Sequence, residues 1–288
     1  MNGIIPFNKN SGELSRRAGA AAARLYGEKK HGHAGTLDPL ASGVLPVLLG
    51  AATRLIPYLP DEKAYRATMR FGLVTDTGDI AGTVISRSDI RPSKTEFEAV
   101  LPRFTGTILQ TPPLYSALKK DGRPLYDYAR KGEAVEVKAR PATVTQITLE
   151  AFSEDEAVLY VACKSGTYIR TLAEDIARAC GAQATLTALV RTRTCGISLE
   201  NCRTLAQLEA GERPLISAET LFNARPAAEV AQSGLIYLKN GGVINAARWS
   251  RPPEGIFRAY SPAGEFLGLA EEREDGAGLV WQNREETE

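Results

Sequence analysis

The densest group of potentially reactive side chains lies between His31 and Gly43, in the segment His-Gly-His-Ala-Gly-Thr-Leu-Asp-Pro-Leu-Ala-Ser-Gly. Its glycines permit tight turns and close approach of the backbone to a ligand. Its one carboxylate, Asp38, has apolar leucines nearby and Pro39 directly after it. A carboxylate positioned in this way can act as a nucleophile or as a general acid or base. The alternative is that Asp38 is a turn residue in a polar loop.

Other chemistries fit this segment less well. It is not a phosphate-binding P-loop, because no Gly-Lys-Ser or Gly-Lys-Thr follows the glycines, and it lacks the dinucleotide-binding glycine pattern. The pair His31-x-His33 suggests a metal hydrolase. Zinc needs three or four ligands, and these are the only two histidines in the chain. Asp38 and a cysteine could complete such a set, so a metal hydrolase remains a second, distant alternative.

The residue patterns around this segment predict a mixture of helices and strands. Alternation of apolar and polar residues predicts a half-buried strand at 65–71, and a Ser-x-x-Glu capping box predicts a helix from Ser93. Further helices are predicted at 15–26, 51–59, 168–180 and 185–190, and further strands at 44–49, 143–152, 157–163 and 196–199. After residue 225, short predicted strands at 235–238, 257–260, 266–269 and 279–281 alternate with glycine and proline turns.

The length of the chain and the change in residue pattern after residue 225 therefore predict two domains, a larger one at 1–225 and a small β-rich one at 226–288. The 288 residues carry a net charge of only +1, which by itself argues weakly against nucleic acid. That sum hides segregated charge, since acidic residues concentrate at the C-terminus. Basic residues cluster in two segments: Arg16, Arg17, Arg24, Lys29 and Lys30, then Lys119, Lys120, Arg123, Arg130, Lys131, Lys138 and Arg140.

The chain has no apolar run of about 18 residues and no visible signal peptide, so we expect a cytoplasmic protein without a membrane span. None of the four cysteines are spaced as Cys-x-x-Cys, and disulfides are rare in large cytosolic chains. We expect the cysteines to be reduced and structural.

Five ordered motifs resemble those of the TruB family of pseudouridine synthases. The segment 33–43 resembles the family signature G-H-x-G-x-L-D-P-x-A-x-G, and the other four follow in the family's order. They are Lys63-Ala-Tyr-Arg66 (K-x-Y-R), Phe71 to Gly82 (L-G-x-x-T-D-T-x-D-x-x-G), Gln110 to Lys119 (Q-x-P-P-x-Y-S-A-x-K) and Gly166 to Ala173 (G-T-Y-I-R-S-L-A). One early motif differs, because Lys9-Asn-Ser-Gly-Glu-Leu-Ser15 stands where the family has K-P-x-G-x-T-S.

The resemblance, which covers roughly residues 1 to 200, implies a fold and a reaction. The fold is the α/β (α+β) pseudouridine-synthase fold with a mixed, mostly antiparallel sheet, followed by a small PUA-like RNA-binding domain. The reaction converts the T-loop uridine of tRNA, at position 55 in tRNA numbering, to pseudouridine after the base is flipped out of the stack. It transfers no electron and no phosphate, so no cofactor and no metal are expected.

The resemblance also assigns roles to residues. Asp38 is the catalytic carboxylate, Arg170 keeps it ionised, and Tyr65 stacks on the flipped base and could take part in proton transfer. Substrate contacts are expected from Lys9, His33, Tyr168 and Leu189. Lys119 and Arg130 belong to a basic insertion, about residues 112–141, that is expected to act as a flexible RNA clamp.

Two further alternatives concern the same scaffold. A non-catalytic tRNA-binding or tRNA-folding protein could retain it, although the intact Asp38, Tyr65 and Arg170 argue against loss of catalysis. A guide-RNA-dependent relative works inside a ribonucleoprotein, whereas the compact N-terminus of this chain favours the stand-alone type. The expected partner is therefore the tRNA T-arm, with no obligatory protein or guide RNA, and we expect a monomer.

Overall fold

The computed structural model describes residues 2–251 and 254–283. The strands are β1 (Gly3–Lys9), β2 (His31–His33), β3 (Ser42–Leu49), β4 (Glu62–Phe71), β5 (Leu73–Thr75), β6 (Val84–Arg87), β7 (Gly106–Gln110), β8 (Lys119–Lys120), β9 (Arg123–Pro124), β10 (Arg140–Phe152), β11 (Glu156–Lys164), β12 (Ala184–Thr194), β13 (Ile197–Ser198), β14 (Ala227–Glu229), β15 (Ile244–Asn245), β16 (Ile256–Tyr260), β17 (Phe266–Arg273) and β18 (Gly276–Gln282). The α-helices are α1 (Ser15–Leu25), α2 (Lys94–Val100), α3 (Leu125–Lys131), α4 (Ile169–Ala179), α5 (Leu205–Glu209) and α6 (Gln232–Lys239).

A nine-stranded mixed sheet forms the larger part of the fold. Its order is β1-β3-β12-β4-β11-β10-β7, with β2 added to β3 and β13 to β12. The β3–β12 pair is parallel and the other pairs are antiparallel. This confirms the expected mixed, mostly antiparallel sheet.

Strand β3 shows why an unbroken apolar run forms a strand here. Leu45 and Val47 pack into the core on one face of the sheet, while Val44 and Leu48 pack into a second core on the other. Successive side chains of a strand point to opposite faces, and a strand covered on both faces is apolar throughout. The sheet is thus covered on both sides near the reactive loop that precedes β3.

Helices α1, α2 and α4 cover one face of this sheet. Helix α4 contributes Leu172 and Ile176 to the core. At the far end of β4, Phe71 packs against Phe97 of α2 and Phe152 of β10, with ring centroids 5.6 and 5.8 Å away. Helix α2 begins with the predicted capping box, in which Ser93 and Glu96 bond each other's backbone N–H groups. This packing anchors β4, the strand that carries Tyr65.

The C-terminal part forms a separate five-stranded sheet in the order β14-β16-β17-β18-β15. It packs on the opposite face of the large sheet, where Phe266 and Trp281 share a core with Leu48. The indole Nε1 of Trp281 also donates to the carbonyl of Ala51 at 3.0 Å. The boundary at residue 225 remains a prediction, and the acidic residues at 285, 286 and 288 lie outside the described residues. No helix in the described ranges is long and apolar enough to cross a membrane.

The helix predicted at 185–190 is wrong, because these residues belong to strand β12 in the middle of the large sheet. The pairing of β12 with β4 is irregular between Leu186 and Ala188. A bulge shifts the alternation of side chains, so Leu186 and Leu189 both reach the same core. Two apolar residues three positions apart therefore imitated the spacing of a helix.

The strand predicted at 235–238 is also wrong, because these residues lie in helix α6. Leu235 and Leu238 pack into the C-terminal core, whereas Ile236 and Tyr237 are exposed. The segment is too short for the sequence to separate an alternation from a helical spacing. Gly241, with a φ of +84°, follows the end of the helix.

Candidate active site

Asp38 lies in the loop between β2 and β3 and forms an ion pair with Arg170, near the start of α4. The Nε of Arg170 is 2.9 Å from Oδ2 of Asp38, and the two side chains are 5% and 38% exposed respectively. The buried arginine therefore presents a carboxylate that remains accessible. This is the arrangement expected for a carboxylate that must stay ionised while a ligand reaches it.

The guanidinium of Arg170 is held at all three nitrogens. Besides the Nε contact with Asp38, Nη1 donates to the carbonyl of Thr77 at 2.7 Å and Nη2 to that of Tyr115 at 2.9 Å. Thr77 belongs to the T-D-T-G-D motif and Tyr115 to the P-P-x-Y-S-A motif, so two further sequence motifs fix the orientation of this arginine. A side chain held in this way loses little additional entropy when substrate binds.

Opposing effects set the charge of Asp38. Burial raises the pKa of its carboxyl group above the usual value, and the nearby Asp79 acts in the same direction. The charge of Arg170 and its hydrogen bond lower that pKa, with a smaller contribution from Lys9. Arg170 is thus the principal group that favours the carboxylate over the carboxylic acid.

The loop between β1 and α1 is flanked by Lys9, the last residue of β1, and Ser15, the first residue of α1. The hydroxyl of Ser15 donates to the carbonyl of Leu37 at 2.8 Å and accepts from its N–H at 2.9 Å. Lys9 is fully buried, and its Nζ donates to the carbonyls of Asn10 and Glu13, both at 2.8 Å. Of the lysine and the serine kept in the motif that departs from the family pattern, Lys9 therefore holds the backbone of its own loop, and Ser15 holds the reactive segment.

A cavity of about 210 Å³ opens above this ion pair. Five residues predicted from the sequence line it, namely Asp38, Tyr65, Tyr168, Arg170 and Leu189. The side chains of Tyr65 and Leu189 are almost completely buried and offer apolar surface, while Asp38 supplies a charged oxygen. A planar ring with one reactive edge would fit such surroundings.

The structure does not bring the other predicted residues into this cavity. His33 is half-buried and its Nδ1 has no hydrogen-bond partner among the described residues. Lys119 is exposed on β8, and Lys9 is enclosed beneath the loop. Arg130, on α3, lines a neighbouring cavity of about 430 Å³ that also contacts Asp38 and Arg170. Their roles toward substrate stay predictions.

His31 and His33 are not part of a wider ligand cluster. His31 is exposed, with its Nδ1 3.0 Å from the carbonyl of Lys29. Burial and the charge of Arg191 lower the pKa of His33. Over residues 2–251 and 254–283, no three His, Cys, Asp or Glu side chains come together in a way that could hold a metal ion.

Comparison with known sequences identifies the family. Residues 23–169 match the N-terminal domain of the TruB family of pseudouridylate synthases. The chain belongs to the TruB family. A protein named tRNA pseudouridine synthase B from Chromobacterium violaceum is 42% identical over 285 residues, covering 96% of this chain and 92% of the relative. Proteins of the same name are 41% identical in Neisseria meningitidis serogroup B, covering 94% and 90%, and 38% identical in Pseudomonas aeruginosa, covering 96% and 93%.

Solved structures support the fold of this TruB-family chain. A Cbf5–Nop10–Gar1 complex contains a chain that matches 98% of this one and 84% of its own length, with a TM-score of 0.74 and 24% identity. An H/ACA ribonucleoprotein bound to a substrate RNA matches with a TM-score of 0.71, 22% identity and the same two coverages. At this level of identity the similarity establishes the fold alone.

Sequence reasoning missed two residues of this TruB-family site. Lys63 lies in the K-x-Y-R motif, where no role was predicted for it, and it lines the main cavity. Arg191 is fully buried on β12, directly opposite Tyr65 of β4. An arginine within Arg-Thr-Arg-Thr carries no local signal of burial, so only the register of the two strands identifies it.

Proposed function

We propose that this protein isomerises the T-loop uridine of tRNA, position 55 in tRNA numbering, to pseudouridine, with Asp38 as the nucleophile. The observation that carries the proposal is the ion pair of 2.9 Å between the accessible Asp38 and the buried Arg170. It lies on the wall of a cavity lined by Tyr65 and Leu189. Family membership and the names of the relatives support a tRNA substrate.

The reaction has three parts. The bond between C1′ of the ribose and N1 of uracil breaks, the base turns, and C5 bonds to C1′ while the C5 proton leaves and N1 gains a proton. A carboxylate nucleophile divides this change into easier steps through a covalent intermediate. Asp38 fits that role because Arg170 favours its ionised form.

Tyr65 and Leu189 would hold the flipped uracil. The ring of Tyr65 offers a stacking surface, and stacking on an aromatic side chain is worth about 1–3 kcal/mol per base. Burial raises the pKa of the Tyr65 hydroxyl, so at neutral pH it carries a proton and can donate it. Leu189 closes the apolar side of the cavity. The exposed basic residues of 112–141, including Lys119 and Arg130, would contact the RNA backbone.

We extend the proposal to the domains, the oligomeric state, the partners and the cellular location of the protein. The C-terminal five-stranded sheet would be the PUA-like RNA-binding domain, covering 226–288 after a catalytic domain at 1–225. We propose that the enzyme acts as a monomer on the T-arm, in the cytoplasm, without a guide RNA or an obligatory protein partner.

Tritium release from an unmodified tRNA transcript containing 5-tritiated uridine tests this function, because the C5 proton leaves during the reaction. We expect release by the wild-type protein without added metal or cofactor, and none from a transcript with cytidine at position 55. Asp38→Asn should abolish release and keep tRNA binding. The control Asp155→Asn alters an exposed aspartate that pairs with Arg91 at 3.2 Å, and it should behave as wild type.

The outcome for Asp38→Asn decides the role of this residue. If it retained even a tenth of the wild-type single-turnover rate, the loss would amount to only about 1.4 kcal/mol, too little for a nucleophile. Activity that disappeared with EDTA and returned only with stoichiometric zinc would instead support the metal hydrolase.

A further inference from the structure

Lys63 is a cavity-lining cation to which the mechanism above assigns no task. It precedes Tyr65 by two positions on β4, so both side chains project from the same face of the strand. Lys63 is half-buried and lines the cavity together with Asp38 and Tyr65. Within the described ranges it makes no hydrogen bond and no ion pair. Lysine is mostly exposed in folded proteins and is almost never fully buried without a partner.

A second cation lies beside Lys63. A Cβ placed on Gly35 would be 3.4 Å from Nζ of Lys63 and 3.4 Å from Nη1 of Arg191. The Asp38 loop therefore passes close to both cations at Gly35, whose φ of +80° also favours glycine. Two cations that converge on one short stretch of backbone produce a positive potential at this wall of the cavity.

No carboxylate among residues 2–251 and 254–283 forms an ion pair with Lys63 or Arg191. Arg191 donates through Nε to the carbonyl of Val44 at 2.7 Å and through Nη2 to that of Gly35 at 3.0 Å. Its Nη1 is buried without a partner among the described residues. Burial and the charge of Arg191 lower the pKa of Lys63, and Asp61, which forms no ion pair with it, opposes them only weakly. Asp38 lines the same cavity as Lys63, but its carboxylate is already paired with Arg170.

We propose that Lys63, with Arg191 behind it, binds a negatively charged oxygen of the target nucleotide. This inference rests on the proposed function and adds a substrate contact to it. Two kinds of oxygen in the nucleotide have this chemistry. One kind belongs to the 5′ phosphate, and the other belongs to uracil and gains negative charge while the glycosidic bond is broken. An unpaired ammonium in a partly desolvated cavity interacts with either more strongly than it would in water.

The test compares Lys63→Met, Lys63→Arg and the control Lys94→Met with the wild-type protein. Lys94 is exposed on α2 and pairs loosely with Glu98, beside the Phe97 cluster at the opposite end of β4. Dissociation constants, their salt dependence and single-turnover tritium release are measured on the same T-arm RNA, with thermal melting to verify folding. Lys63→Met should weaken binding or slow the rate about 10- to 100-fold, because hydrogen bonds to charged groups have this magnitude. Lys63→Arg should retain most of the wild-type affinity and rate, and Lys94→Met should match wild type.

Two modified RNAs distinguish the sources of the oxygen and need no protein variant. If the oxygen belongs to the phosphate, a methylphosphonate 5′ to the target uridine weakens binding to the wild-type protein. The methylphosphonate then causes no further loss of binding to Lys63→Met. The slope of log affinity against log salt concentration is smaller for Lys63→Met than for the wild-type protein by about 0.7–0.9. If the oxygen belongs to uracil, Lys63→Met has a slower single-turnover rate at unchanged affinity. In that case 2-thio- or 4-thiouridine slows the wild-type protein more than the variant.

Two results would overturn the inference. One is a folded Lys63→Met protein within twofold of wild type in affinity and in rate. The other is equal sensitivity of the wild-type protein and Lys63→Met to every modified RNA, because Lys63 would then touch none of these oxygens. Failure of the proposed function is a separate result, since the wild-type protein itself would then release no tritium.

Discussion

Ser15 and Leu37 are joined by two hydrogen bonds, of 2.8 and 2.9 Å, through which one buried hydroxyl satisfies both backbone groups of the residue before Asp38. Ser15 is also the first residue of α1. The helix thus fixes the position of the carboxylate that α4 holds from the other side through Arg170.

We expect Ser15→Ala to reduce both stability and turnover. Two buried backbone groups would be left without their partner, at a cost of about 1–3 kcal/mol, which lowers the melting temperature by several degrees. The single-turnover rate should fall about tenfold or more, because small displacements of a reacting group are costly. Ser11→Ala is the control, since its exposed hydroxyl donates to Leu40, two residues after Asp38. Equal effects of both variants would contradict a specific role for Ser15.

Removal of the Arg170 charge should shift the pH dependence of the reaction. Burial raises the pKa of Asp38 and Arg170 opposes that shift. In Arg170→Met the pKa therefore rises further, and the acid limb of the single-turnover rate moves to higher pH. Arg170→Lys should move it less, because it keeps the charge. The control is Arg178→Met, on the same helix, which removes an exposed arginine paired with Asp175 and should leave the acid limb in place. If the acid limb of Arg170→Met did not move, a group other than Asp38 would control the acid limb.

Tyr65→Phe separates the ring from the hydroxyl. The ring should still stack on the base, so RNA affinity should stay within about threefold of wild type. If the hydroxyl transfers a proton, the single-turnover rate should fall by a factor on the order of 100 or more. Tyr160→Phe, on the neighbouring strand β11, is the control. A wild-type rate for Tyr65→Phe would restrict Tyr65 to stacking, and Tyr65→Leu would then be the variant that is inactive.

Thiol labelling should find one reactive cysteine in the folded protein. Burial raises the pKa of Cys163 to about 11 and that of Cys202 to about 12, and it also raises that of Cys195. All three are buried, while Cys180, whose pKa burial also raises, is only half-buried at the end of α4 and is therefore the accessible thiol. Ellman's reagent at mildly alkaline pH should therefore modify Cys180 first and the others only after unfolding, and Cys180→Ser should remove the fast phase. Rapid labelling of two or more thiols would contradict the buried positions.

The sequence predicts the reactive loop better than it predicts the strands beside it. Asp38, Tyr65 and Arg170 could be identified because each lies in a motif, and the structure places them in one cavity. Strand β12 was mistaken for a helix because its bulge places Leu186 and Leu189 three positions apart on the same face. The burial of Arg191 depends on the register between β12 and β4, a long-range relationship that no local pattern contains.

The basic segment 112–141 supplies the last prediction. In the structure it forms the hairpin β8–β9 and helix α3, and its buried residues are Pro112, Ser116 and Leu125. With so few apolar contacts we expect it to exchange amide hydrogens quickly without RNA and slowly with it, since such a segment becomes ordered on binding. Slow amide exchange only in the presence of RNA would identify the segment as a mobile clamp rather than a fixed part of the site.

Alanine at Lys119, Lys120, Arg130 and Lys131 should weaken tRNA binding and flatten its salt dependence by up to about 0.7–0.9 for each phosphate that is no longer neutralised. The side chains of Lys119, Arg130 and Lys131 are exposed, and that of Lys120 is half-buried. Single-turnover chemistry on saturating tRNA should change much less, because the four residues bind RNA and leave the Asp38–Arg170 pair intact. A control with the same charge change replaces the exposed Arg87, Lys94, Arg103 and Arg178. An unchanged dissociation constant and salt slope in the first variant, or equal weakening in both, would mean that this segment is an ordinary solvated loop.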